Sequence, residues 1–252
     1  MEFQTIQVQE RADGIGVITL NRPEKRNAIS ILMRREISAC LENWKEVAAI
    51  GAVIFTGAGN TFSAGFDLDE FRQPERFAEL AESSSRYHRD LWHFPKPVIA
   101  AINGPAMGGG FDLVAFCDIR LCSETASFGH PEIKFGAPPL FTPLRWIIGE
   151  GLARDLCLTG RRINAQEAHR IGLVSEVVEA EKLMERALQL AAVILEAPLA
   201  TLQFTKKFFT ESGGRGFEES FRIEHDRAFQ EIILAPPGVK HRENHLKGNN
   251  NV

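Results

Sequence analysis

Two glycine-rich turns, each directly after an apolar β-type run, are the parts of this chain best suited to chemistry. They are Phe62-Ser63-Ala64-Gly65-Phe66-Asp67 and Asn103-Gly104-Pro105-Ala106-Met107-Gly108-Gly109-Gly110-Phe111-Asp112. Small residues let a ligand reach the main chain, and a helix that starts just after a turn adds unpaired N–H donors and the positive end of its dipole. Two such donors converging on one carbonyl oxygen form an oxyanion hole. The expectation is acyl or thioester chemistry.

Two carboxylates accompany these turns. Asp112 falls on the helix that the triple glycine would open, and Glu132 on the run Ala126-Ser127-Phe128-Gly129-His130-Pro131-Glu132-Ile133, each among apolar or small residues. A carboxylate so placed must be paired, hydrogen-bonded or raised in pKa, and a raised pKa makes a general acid or base. A buried salt bridge or a cap is the commoner explanation of either residue alone. The pair carries chemistry only if both face the pocket of the two turns. His130 would share a face with Glu132 in an extended segment, but Pro131 interrupts it, and a packing or hydrogen-bonding role is the expectation. Arg22, Lys25 and Arg26, in a loop after the first strand, have the chemistry to grip phosphates; an ordinary solvated loop has the same composition.

Other sites are disfavoured. Gly57-Ala58-Gly59-Asn60-Thr61-Phe62 has phenylalanine where a dinucleotide fingerprint needs its third glycine. Gly110-Phe111 stands where a phosphate-binding loop needs Lys and Ser or Thr. His88 and His93 have no second ligand at metal spacing, so no metal is expected. No Gly-x-Ser-x-Gly elbow anchors a serine triad.

The elements that must hold these groups alternate. Ile15-Gly16-Val17-Ile18-Thr19-Leu20, Ala52-Val53-Ile54-Phe55-Thr56, Pro97-Val98-Ile99-Ala100-Ala101-Ile102 and Asp118-Ile119-Arg120-Leu121 read as buried strands. Met33, Ile37, Cys40, Leu41, Trp44 and Val47 share one helical face, and Phe77, Leu80, Ala81, Tyr87 and Leu91 suggest a second helix. The alternation predicts an α/β domain. After about Gly149 strand signals fade, and helices are expected over Leu183 to Ile194, then around 198–211 and 216–234, with a break at Glu196-Ala197-Pro198. The tail from Ala235 onward is polar and breaker-rich.

The totals agree with this picture. The chain has 252 residues, 44% of them hydrophobic, and a formal net charge of -4, which disfavours a nucleic-acid partner because phosphate binding leaves a basic footprint. No apolar stretch reaches membrane-span length and the N-terminus lacks a signal pattern, so a cytoplasmic protein with no membrane partner is expected. Cys40, Cys117, Cys122 and Cys157 lack Cys-x-x-Cys spacing and read as reduced core residues.

Taken together, the chain resembles the enoyl-CoA hydratase/isomerase, or crotonase, superfamily. The resemblance rests on Leu20-Asn21-Arg22-Pro23 with Asn27-Ala28, Phe62 through Leu68, Lys96 through Gly104, Gly108-Gly109-Gly110, Cys117-Asp118 and Phe128 through Glu132. Thr159-Gly160-Arg161-Arg162, Ala165-Gln166-Glu167-Ala168 and Gly172-Leu173-Val174 complete it. It implies an α/β fold, a crotonase-like spiral of ββα units over residues 1–195. A helical C-terminal oligomerisation region with a polar tail would follow over residues 196–252, building a homotrimer or homohexamer.

The ligand implied is an acyl-CoA thioester, with coenzyme A part of the substrate and no separate cofactor. The backbone N–H groups of Ala64 and Gly109 would form the oxyanion hole. Arg22, Lys25, Arg26, Ala28, Ala64, Phe66, Asp67, Leu68, Gly108 and Leu140 would contact substrate or CoA. The reaction implied is addition of water to a 2-enoyl-CoA, with Glu132 giving a proton to the α-carbon and Asp112 activating water. The alternatives are a 3-enoyl- to 2-enoyl-CoA isomerase and a hydrolase or decarboxylase of a branched or cyclic acyl-CoA; an RNA-binding or scaffold role is disfavoured. The chain departs from the pattern in three places: Asp112 replaces a longer glutamate, Gly136-Ala137-Pro138-Pro139-Leu140-Phe141-Thr142-Pro143-Leu144 replaces a glycine-rich turn, and the C-terminus lacks the usual Phe- and Lys-rich ending.

Overall fold

Alternate residues of the central apolar runs point into two different cores, which is why these runs are continuously hydrophobic. The computed structural model describes residues 2–211. It begins with β1 (Ile6–Glu10), β2 (Ile15–Leu20) and α1 (Ile31–Glu46), then β3 (Ala52–Gly57) and α2 (Phe77–Trp92). β4 (Val98–Ile102), β5 (Ala106–Met107) and α3 (Gly109–Phe116) follow, then β6 (Ile119–Ser123), β7 (Ser127–Gly129) and α4 (Phe141–Thr159). The described part closes with β8 (Ile163–Asn164), α5 (Ala165–Arg170), β9 (Glu176–Val178), α6 (Leu183–Ile194) and α7 (Leu199–Glu211).

The larger sheet runs β1-β2-β3-β4-β6-β9, with β1 antiparallel to β2 and the remaining neighbours parallel. A smaller sheet runs β5-β7-β8. Each turn of the chain lays a strand in the large sheet, adds a short extended piece beside it, and returns through a helix. The short pieces pair with one another: Ile29 bridges Phe66, Ser63 bridges Ala106, and β5 pairs with β7. This is the ββα spiral the sequence led us to expect. It brings the loops after β3, β4 and β6 side by side.

Val53, Phe55, Val98, Ala100 and Ile102 join the core with Met33, Ile37, Leu41 and Trp44 of α1 and with Phe111 and Val114 of α3. Ala52, Ile54, Ile99 and Ala101 face the other way, onto Leu183, Ala187 and Ala191 of α6. Ser30 caps α1 by accepting a hydrogen bond from the Met33 N–H at 3.2 Å. All four cysteines are buried free thiols.

The structure differs from the sequence expectation in three places. β1 was not foreseen, because it is an edge strand with only Ile6 buried. Strand signals do not end near Gly149: β8 and β9 follow, and β9 forms the far edge of the large sheet from three half-buried residues. The proline-containing stretch Gly136 to Leu144 is not all loop. α4 starts at Phe141 and carries Pro143 in its first turn, where a missing N–H removes no intrahelical bond. Gly149, at φ 78° and ψ 161°, divides α4 in two. The break between α6 and α7 spans Pro198 as expected. The helix expected over 216–234 and the tail lie outside the described residues.

Candidate active site

The first two turns are tied edge to edge. The Ser63 N–H donates to the Pro105 carbonyl at 3.1 Å, and the Met107 N–H to the Ser63 carbonyl at 2.9 Å. Gly65 lies at φ +96°, and a Cβ there would sit 2.8 Å from the Met107 carbonyl oxygen and 3.3 Å from the Gly109 nitrogen. Only glycine fits this approach.

Asn27 braces the turn from below. It is fully buried at φ 53°, its Nδ2 donates to the Ala58 and Thr61 carbonyls at 2.9 and 2.7 Å, and its Oδ1 accepts from the Arg22 N–H at 3.0 Å. The Ser63 hydroxyl donates to the Asn27 carbonyl at 2.8 Å.

The expectation for Ala64 needs correction. Its N–H donates to the Arg26 carbonyl at 2.9 Å, so it is already committed. In the parallel bridge to Ile29, the Ile29 N–H donates to the Gly65 carbonyl and the Asp67 N–H to the Ile29 carbonyl. The amide between those two contacts, that of Phe66, donates to no group among the described residues. Neither does the amide of Gly109 at the start of α3, where the Phe111 and Asp112 N–H groups turn back to the Gly108 carbonyl at 2.8 and 2.9 Å. Phe66 and Gly109 thus present unpaired donors on the two facing turns among the described residues. Their contact is tight, since a Cβ on Gly109 would lie 2.6 Å from Cδ1 of Phe66. Behind the Phe66 ring lies the buried Arg34 guanidinium, 4.6 Å from its centroid. Arg34 is held by Ser83 Oγ at 3.1 Å, the Ile29 carbonyl at 3.2 Å and Glu70 at 3.4 Å.

Asp112 and Glu132 are brought together around His130. Asp112 projects from the first turn of α3 and is 7% exposed. Burial pushes its carboxyl up to about 7; the His130 ring opposes this rise and the neighbouring Glu132 adds to it. Glu132 lies on a short 3-10 turn, Pro131–Phe135, just after β7. His130 Nδ1 is 2.8 Å from Glu132 Oε1, and its Nε2 is 3.9 Å from Asp112 Oδ1. His130 and Glu132 thus meet through a turn started by Pro131, not through strand alternation. The other Glu132 oxygen, Oε2, is buried with no hydrogen-bond partner among the described residues. It would lie 3.0 Å from a Cβ on Gly108, which sits at φ +50°. A larger residue at 108 would displace the carboxylate.

The remaining candidates divide. Arg22 pairs with Asp67 at 2.8 Å and donates to the Ala28 carbonyl at 2.7 Å, so these three expected ligand contacts brace one another instead. Lys25 is exposed and pairs with Asp69 at 2.9 Å. Arg26 is exposed, in left-handed conformation at φ 51°. Leu68 is 67% exposed, and Leu140 leads into α4, partly exposed. The Phe66 amide, the bracing by Asn27 and the placement of His130 between the carboxylates were not foreseen. The readable signals were the glycine beside Phe66 and the His-x-Glu spacing.

A family model described as "Enoyl-CoA hydratase/isomerase" matches residues 10–233. The chain is 39% identical over 198 residues to the mitochondrial enoyl-CoA hydratase of Pongo abelii, an alignment covering 76% of this chain and 68% of that protein. It is 36% identical over 207 residues to the short-chain-enoyl-CoA hydratase of Clostridium acetobutylicum, covering 79% of each. The crystal structure of enoyl-CoA hydratase from Bacillus anthracis superposes with a TM-score of 0.91 at 31% identity, over 97% of both chains. With the matched region spanning both turns, both carboxylates and the spiral that assembles them, this chain belongs to the enoyl-CoA hydratase/isomerase family.

Proposed function

We propose that this protein adds water across the double bond of a 2-enoyl-CoA. The observation that carries the reading is the convergence of the buried Asp112 and the half-buried Glu132 next to two facing turns whose Phe66 and Gly109 amides are unpaired among the described residues. The thioester oxygen binds between those amides. As water adds to the β-carbon, negative charge moves onto this oxygen, and donors already in place stabilise the enolate without reorganising. Each such donor is worth on the order of 3 kcal/mol in the transition state. Asp112 takes a proton from the water, and Glu132 delivers one to the α-carbon. A carboxyl that titrates near neutrality suits a base, because it is partly ionised and still binds a proton well.

Lys25 and Arg26, on the loop whose Arg26 carbonyl receives the Ala64 amide, are the exposed cations for the CoA phosphates. A homotrimer or homohexamer working in the cytoplasm, with no cofactor beyond the CoA of the substrate, completes the proposal.

A second reading is supported by Glu132 Oε2, which has no hydrogen-bond partner among the described residues and lies against Gly108. Glu132 alone could carry a proton between two carbons of the acyl chain and convert a 3-enoyl- to a 2-enoyl-CoA. Mass spectrometry of the CoA products from matched 2-enoyl and 3-enoyl substrates separates the two. Gain of one water from the 2-enoyl substrate, lost in both Glu132→Gln and Asp112→Asn, supports hydration. Bond migration without water gain, lost only in Glu132→Gln, overturns it in favour of isomerisation.

A further inference from the structure

We propose that His130 is a positioning residue that orients Glu132 by a hydrogen bond and acts on Asp112 through its charge. Its Nδ1–H occupies Glu132 Oε1, so that the transferable proton resides on Oε2, and its Nε2 faces Asp112 and favours the ionised base. The inference rests on the hydration roles given above to the two carboxylates.

The ring is held in place for this. His130 is 1% exposed and stacks on Phe111 at 4.7 Å with an interplanar angle of 24°. Its backbone is wedged against Gly160, where a Cβ would fall 2.8 Å from the His130 carbonyl oxygen. A neutral imidazole has one donor nitrogen and one acceptor nitrogen. At 2.8 Å from Oε1, Nδ1 is the donor whether Glu132 is ionised or protonated on its other oxygen, because Oε1 accepts in both cases. Glu132 therefore has one oxygen occupied and one without a partner among the described residues. The proton available to a substrate carbon sits on the unpartnered oxygen, beside Gly108 and one residue from the Gly109 amide.

Nε2 lies 3.9 Å from Asp112 Oδ1, beyond hydrogen-bond reach but close enough for charge to be felt. Positive charge on the ring favours the ionised Asp112 carboxylate. The other titratable groups facing this cluster stay neutral. Tyr87 on α2 is raised well above its usual value by burial, and Cys157 on α4 is pushed up to about 11 by burial and by the two carboxylates. Within the cluster, the His130 ring opposes the rise of the Asp112 carboxyl and Glu132 adds to it.

The test reads the carboxyl directly and through turnover. Infrared spectra follow the protonated-carboxyl stretch across pH, with Asp112→Asn identifying the Asp112 band. In His130→Gln, which cannot become charged, that band should titrate about one pH unit higher than in the wild type. The acid limb of the kcat–pH profile should move up with it. At pH values on that limb kcat falls about tenfold while KM is unchanged. His130→Phe, which keeps the stack on Phe111, is the second variant should His130→Gln unfold, and it should shift the band in the same direction. A folded variant whose Asp112 band and acid limb both stay at the wild-type pH overturns the proposal, even if its Tm drops, since packing alone moves only Tm. If the wild type hydrates no 2-enoyl-CoA, the hydratase reading fails, and the infrared titration still decides the coupling of His130 to Asp112.

Discussion

The ring of Phe66 lies against the α-carbon of Gly109, so closely that a Cβ on that glycine would fall 2.6 Å from Cδ1. This contact fixes the separation of the two turns and so of the two unpaired amides. Arg34, stacked behind the same ring, supports it from the protein side.

Gly109→Ala should therefore misplace an amide without removing it. The added methyl drives the Phe66 ring and its backbone away from α3, and kcat should fall by about a hundredfold or more with the fold retained. Steady-state kinetics with a 2-enoyl-CoA, paired with circular dichroism, checks both parts. Wild-type kcat would show that the turns do not act as one hole.

Asp112→Asn should stabilise the protein while disabling it. The folded-state carboxyl is raised from 3.8 to about 7, so the folded state binds the proton more tightly than the unfolded chain. The stability this provides is full below about pH 4 and is lost as pH rises through about 7. An amide there mimics the protonated group at every pH. The variant should exceed the wild type by on the order of 2 kcal/mol at pH 8, with the difference vanishing near pH 4. Urea unfolding at the two pH values measures it, and a difference independent of pH counts against the assignment.

Asn27→Ala should be costly, because one side chain satisfies two carbonyls and one amide and occupies a left-handed backbone position. Burying those partners unpaired should destabilise the protein by about 3 kcal/mol. Asn27→Gly should lose slightly less, since glycine accepts the backbone but not the hydrogen bonds. Denaturant midpoints for the two variants separate the backbone part from the side-chain part.

The basic loop should split by function. Arg26→Ala should raise KM about fivefold, in a salt-dependent way, and leave kcat unchanged, as removal of an exposed charge on the CoA side. Arg22→Ala should lower Tm instead, because it strips Asp67 of its partner and leaves the Ala28 carbonyl without its donor. Activity measured at two salt concentrations, with melting curves for both variants, reads the split.

The ββα spiral was legible because its strands are buried on both faces and so carry uninterrupted apolar runs. The glycine turns were legible because small residues let the two main chains meet: a Cβ would fall 2.8 Å from the Met107 carbonyl oxygen at Gly65 and 2.6 Å from the Phe66 ring at Gly109. Asp112 and Glu132 stood out as carboxylates among apolar residues. What could not be read was set by groups distant in sequence: whether an amide is free depends on its neighbours. Ala64 is lost to Arg26, and Phe66 is spared by the way Ile29 pairs around it. Likewise Arg22 looked like a phosphate ligand until Asp67 folded against it. β9 was hidden for a different reason: three half-buried residues at a sheet edge need little hydrophobicity.

The sorting of alternate residues in β3 and β4 between two cores makes the reading frame of the sheet unforgiving. Deleting one residue inside β3 would turn Val53 and Phe55 toward α6 and bring Ala52 and Ile54 beneath α1, swapping a cavity for a collision on each side. The same slip would shift the departure point of the turn that carries Phe66. Length changes in this molecule are thus tolerable beyond the strand ends and at surface loops, whereas the strands themselves act as a ruler that measures out where each turn begins.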